Sequence, residues 1–184
     1  MSRRELPWPC PNVVPGMAPV AVMLARTEET VVAVTGIRAY PAGFGFTLHL
    51  RLRDTRHRQG REWPFHELGP HRGPPWPEEV LRLTVQFPDG RSVSILDAPT
   101  GDPPDPDQPM LSSGPGTGGG VDGWSFDMEY RVRPLPPPGP LAFICAWPGR
   151  GIPTSRTEVD GGAIGAAAHA AATLWPNDPY CGDN

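Results

Sequence analysis

Two ten-residue runs govern how this chain reads. Phe44-Gly45-Phe46-Thr47-Leu48-His49-Leu50-Arg51-Leu52-Arg53 and Trp124-Ser125-Phe126-Asp127-Met128-Glu129-Tyr130-Arg131-Val132-Arg133 alternate without a break. In each run every second position is apolar, and the positions between are small, polar or charged. Successive side chains of a pleated strand point to opposite sides, so both runs predict strands with one buried and one wet face.

Other segments share this character. Val20 to Ala25 predicts a first strand, with Pro19 at its edge where a missing N–H is tolerated. Val31 to Tyr40 is β-branched and strand-like, and Pro41-Ala42-Gly43 links it to the 44–53 run, so residues 31–53 predict a hairpin. Val80 to Phe87 alternates, Pro88-Asp89-Gly90-Arg91 supplies a turn, and Ser92 to Leu96 returns as a partner strand. Leu141-Ala142-Phe143-Ile144-Cys145-Ala146-Trp147 has no polar side, which suits a central strand covered on both faces.

Near the C-terminus the period changes. Thr157 as N-cap, a stripe of Ile164, Ala168, Ala171 and Trp175, and Pro176 as a stop predict a helix over 157–175. Gly161, Gly162 and Gly165 weaken it by about 1 kcal/mol each, so it needs a packing partner. The apolar strand before it is the expected one.

The predicted fold is mainly β. It is an antiparallel two-layer β-sandwich, Ig-like or jelly-roll-like, of about seven strands with one C-terminal α-helix. The expected organisation is a single domain over 1–184. Residues 1–16 form an irregular arm, and 54–78 and 97–123 form long loops. Met110-Leu111 is a short strand within the second loop.

Composition changes this picture only in part. Proline (27) and glycine (22) exceed a quarter of the 184 residues. They fall between the apolar runs, so they read as turns and ordered loops with some unstructured insertions. Net charge is −4, which argues against nucleic acid as a partner. The absence of lysine and the abundance of Ala, Gly and Pro are those of a high-GC bacterial genome. The Trp147–Pro153 and Leu174-Trp175-Pro176 segments resemble actinobacterial proteins, a likeness that implies no function. Neither a secretory segment nor a membrane span fits the N-terminal third, so no membrane partner and a cytoplasmic location are expected. Three cysteines, at 10, 145 and 181, make no disulfide framework. Cys145 reads as a core thiol, and a Cys10–Cys181 bridge stays open.

Candidate chemistry concentrates in the 54–78 segment. His57, His66, Glu67 and His71 are a candidate metal set, but their spacing matches no established ligand pattern, so neither metal nor cofactor is expected. Trp63, Phe65 and Trp76 either cap an open end of the fold or present a patch to a partner. With His66, His71, Arg51 and Arg53 they form the candidate partner-binding set. The wet faces of the two alternating runs carry His49, Arg51 and Arg53, and Asp127, Glu129, Arg131 and Arg133. As neighbours they would pair across strands; alternatively Arg51, Arg53, Arg131 and Arg133 make a basic platform for an anion. Ser112 to Gly120 lacks the lysine of a phosphate loop and reads as a flexible loop. No serine or cysteine has a nucleophile's context. The expected function is therefore a non-enzymatic protein-interaction or binding module acting through 54–78, with self-association included. The alternatives are a small-molecule or metal-dependent enzyme using the same loop, and a structural subunit of a larger assembly.

Overall fold

A computed structural model describes residues 9–53, 80–97, 107–119 and 123–175. Among these the chain forms β1 (Val13–Val14), β2 (Gly16–Arg26), β3 (Thr30–Tyr40), β4 (Gly43–Leu52), β5 (Arg82–Gln86) and β6 (Ser92–Ser94). It continues with β7 (Met110–Gly119), β8 (Trp124–Arg133), β9 (Pro140–Trp147), β10 (Ile152–Asp160), α1 (Gly161–His169) and β11 (Ala172–Thr173). The fold is mainly β, with antiparallel sheets and one helix. Two sheets hold most of the strands, in the orders β2-β3-β4-β8-β7 and β10-β9-β5-β6.

The alternation of β4 is realised in full. Phe44, Phe46, Leu48, Leu50 and Leu52 are buried, while Thr47, His49 and Arg51 face outward. β8 lies antiparallel beside it and buries Phe126, Tyr130 and Val132 on the same side. These side chains merge with Leu83 and Val85 of β5 and Leu141, Phe143, Cys145 and Trp147 of β9 into one core. Phe46 sits at the junction: its ring stacks on Tyr130 at 5.6 Å and meets Phe143 of the other sheet edge-on at 5.2 Å. The expected hairpins β3–β4 and β5–β6 are both present. Along one side, Ser155 Oγ of β10 donates to the Leu24 carbonyl of β2 at 2.8 Å, tying the two sheets without closing them.

Several segments differ from the sequence reading. Within the expected irregular arm 1–16, Val13 and Val14 form β1 and Gly16 opens β2. Residues 112–119 were expected as flexible loop, yet they continue β7 along the free edge of β8, from Met110↔Arg133 to Gly119↔Ser125. Backbone hydrogen bonds recruit this strand, and the side chains have little part in it. Gly114 shows why glycine suits the position: a Cβ there would stand 3.1 Å from Glu129 Cβ. Residues 157–160 belong to β10, not to the helix, because this segment continues its antiparallel ladder with β9 as far as Asp160↔Pro140. Asp160 is the N-cap, its side chain accepting from the Gly162 amide at 2.8 Å, and the helix ends at His169. Only Ile164 and Ala168 of the expected stripe are buried in the helix; Trp175 lies beyond it, 64% exposed.

The helix also packs elsewhere than expected. It lies chiefly on β2 and β3, with lesser contact to β9. Gly16 permits this, because a Cβ at that position would be 1.8 Å from the Ala167 carbonyl oxygen.

Candidate functional site

The outer face of the five-stranded sheet collects the polar chemistry of the described residues. Its rows follow from register. Ala21 of β2 lies opposite Thr35 of β3, which lies opposite Thr47 of β4 and then Glu129 of β8. The adjoining row runs Met23, Ala33, His49, Asp127. The face is therefore divided. Along the β2 edge Met17, Pro19, Ala21 and Met23 stand exposed, Met17 by 61% and Met23 by 53%. Across β4 and β8 the residues are polar or charged.

At the centre four side chains form one hydrogen-bonded line. Thr35 Oγ1 is 2.6 Å from His49 Nε2, His49 Nδ1 is 2.7 Å from Asp127 Oδ1, and Arg51 Nη1 donates to the same oxygen at 2.7 Å. Arg51 also donates to the carbonyls of Leu50 and Phe126 at 2.9 and 3.1 Å, which fixes its guanidinium over the β4–β8 pair. The Arg51 guanidinium, aided by His49, holds the Asp127 carboxyl below its ordinary value of 3.8 against the opposing effect of burial. An ionised carboxylate can only accept, so His49 Nδ1 carries the proton it donates to Asp127. In the neutral imidazole Nε2 is then the acceptor, and the Thr35 hydroxyl donates to it.

Neighbouring charges are paired as well. Arg38 Nη2 meets Glu129 Oε1 at 2.7 Å, and Arg131 Nη2 is 3.8 Å from Glu129 Oε2. The cross-strand pairing anticipated for adjacent strands is thus present, since β4 and β8 are neighbours. The basic platform is correspondingly diminished: Arg51 and Arg131 face carboxylates, and Arg133 donates to Met110 Sδ at 3.7 Å. Arg53 stands apart from this line. With Arg26, Glu28, Glu29, Val31 and Arg51 it borders a shallow surface concavity at the end of β4.

The remaining candidates, Trp63, Phe65, His66, His71 and Trp76, and the metal set His57, His66, Glu67 and His71, lie outside the described residues. Among the described residues no group of three or more His, Cys, Asp or Glu side chains could hold a metal ion. No helix among them is long and apolar enough to cross a membrane. Cys145 is a free buried thiol that burial pushes up to about 12, so it carries no thiolate at neutral pH. Cys10 is disulfide-bonded, and Cys181 lies outside the described residues.

Sequence reasoning missed two features. Thr35 was not singled out, because its meeting with His49 is set by the β3–β4 register across fourteen positions. The signal was present in outline: His49 and Asp127 occupy wet positions of the two clearest strands. The second feature is a clasp between the chain ends. β1 pairs with β11, and buried Asn12 donates through Nδ2 to the Trp175 carbonyl while accepting from the Trp175 amide, both at 2.8 Å. No family model, no curated protein and no solved structure matches this chain.

Proposed function

We propose that this chain is a two-layer β-sandwich, Ig-like or jelly-roll-like, that serves as a binding module for a protein partner, in the first place a second copy of itself. The docking surface is the outer face of the five-stranded sheet together with the 54–78 segment that follows β4. One observation carries the reading: the exposed row Met17, Pro19, Ala21 and Met23 beside a ladder of paired charges. Isolated exposed apolar residues are ordinary, whereas a contiguous row next to ordered polar groups is typical of interaction surfaces.

Size and charge favour a second copy as the occupant. Five strands about 4.8 Å apart, with about ten residues at roughly 3.3 Å each, make a face of roughly 800 Å². That is about what each partner of a stable interface covers. The face also carries both signs of charge, Arg38, Arg51 and Arg131 with Asp127 and Glu129, so it can complement itself about a two-fold axis.

Size-exclusion chromatography with light scattering over a wide concentration range tests this. The wild-type chain is expected to reach dimer mass, and Met17→Glu combined with Met23→Glu to remain monomeric with an unchanged melting temperature, because neither side chain is in the core. Wild type that stays monomeric throughout overturns the proposal. So does dimerisation that survives both this double substitution and shortening of 58–76.

A further inference from the structure

The Thr35–His49–Asp127 line has a geometry that surface pairing does not require. A hydroxyl, an imidazole and a carboxylate stand in hydrogen-bonded sequence at 2.6 and 2.7 Å, with the hydroxyl on Nε2 and the carboxylate on Nδ1. In this order the imidazole can take the hydroxyl's proton while the carboxylate holds the ring and stabilises its charge. Arg51 fixes the carboxylate in turn.

The site is neither sealed nor fully solvated: the His49 side chain is 25% exposed and that of Asp127 37%. Thr35 borders the exposed apolar row, with Ala21 directly opposite on β2 and Met23 in the next row. Immediately after Thr35, β3 bulges. Gly36 has φ 64°, and the register slips between Thr35↔Thr47 and Arg38↔Gly45, which lifts the hydroxyl's flank out of the regular ladder. Thr47 and Glu129 complete the surroundings, and Glu129 is occupied by Arg38 and Arg131.

We infer that Thr35 is a nucleophile that His49 activates toward esters with an apolar acyl group. Thr35 Oγ1 attacks the carbonyl carbon as its proton passes to His49 Nε2, giving a tetrahedral adduct. Collapse expels the alcohol or phenol, which takes the proton back from His49 Nε2 and leaves acyl-Thr35. Water, deprotonated by the same nitrogen, then attacks the acyl carbon, releasing the carboxylic acid and restoring the hydroxyl. The apolar row beside Thr35 would receive the acyl chain. Asp127 and Arg51 are positioning residues. General-base assistance of this kind accelerates an acyl transfer by about 10²–10⁴-fold, which suits activated esters. The inference does not rest on the dimer reading; because Thr35 lies on the face that a second copy would cover, the reaction belongs to the free chain and is assayed at concentrations where light scattering shows monomer.

The test uses 4-nitrophenyl butyrate on the full chain, read by release of 4-nitrophenolate and by peptide mapping for the acyl group. Wild type is expected to acylate on the peptide bearing Thr35. Thr35→Val, which keeps the shape, should abolish the adduct, and Thr35→Ser should retain it. His49→Gln should slow acylation on the order of 10²-fold. Thermal melts confirm that each variant folds, and light scattering shows whether association is unchanged. An unmodified Thr35 peptide in wild type, an acyl group on His49 instead, or a rate indifferent to His49→Gln overturns the inference.

Discussion

Phe46→Ala tests the central physical claim, that the apolar sides of the alternating strands meet across the two sheets. Phe46 is fully buried, stacked on Tyr130 within its own sheet and edge-on to Phe143 of the other. Truncation removes the ring's transfer free energy and leaves a cavity, together about 3–5 kcal/mol for a fully buried phenylalanine. Loss of three ring contacts, to Phe44, Tyr130 and Phe143, places the expected value toward the upper part of that range. In a chain of this size each kcal/mol lowers the melting temperature by about 2–4 °C, so a drop of about 8–20 °C is expected.

The control is the next residue. Thr47→Ala lies on the outer face of the same strand and should change stability by no more than about 0.5 kcal/mol. Urea unfolding followed by tryptophan fluorescence suits the comparison, because Trp147 is fully buried in the same core. The midpoint should fall while the slope stays constant, the mark of a stability change without a change in compactness. A loss below about 1 kcal/mol for Phe46→Ala, or equal losses at 46 and 47, would refute the reasoning.

Three further outcomes are expected. Gly16→Ala forces a methyl group into the Ala167 carbonyl, so the helix must lift from β2, and hydrogen exchange should rise in residues 161–169 ahead of β4 and β8. Asn12→Ala leaves the Trp175 amide and carbonyl without their side-chain partner, costing about 1–3 kcal/mol, with amide exchange at Leu174 and Trp175 accelerated most. Asp127 has a folded pKa below 3.8, so its stabilisation is present above 3.8 and is lost as the pH falls through the lowered value. The stability gap between wild type and Asp127→Asn, measured by urea midpoints, should therefore close in acid. With the carboxylate 37% exposed and screened by solvent, that gap should stay under about 1 kcal/mol at pH 7.

The strands were legible wherever side-chain burial alternates, because one buried face writes a period of two into the sequence. β4 and β8 are the clearest cases, and β3, β5 and β6 follow; β9 was legible instead as an unbroken apolar run. β7 was not legible beyond Met110-Leu111, since Ser112 to Gly119 joins the sheet through its backbone and buries little. The last residues of β10 read as helix because Thr157, with Asp160 three positions on, imitates a capping pair. Asp160 as N-cap, and not Thr157, is decided by where the β9–β10 ladder ends.

By itself, then, the sequence determined which faces of which strands are apolar, and with that a β-rich fold with a polar outer surface. Only the tertiary structure decided that β4 lies against β8, that the helix rests on β2 and β3 through Gly16, and that Thr35 meets His49. These are matters of register and strand order. One residue of slippage would reverse every facing pair, and no local pattern in the chain specifies which strand becomes its neighbour.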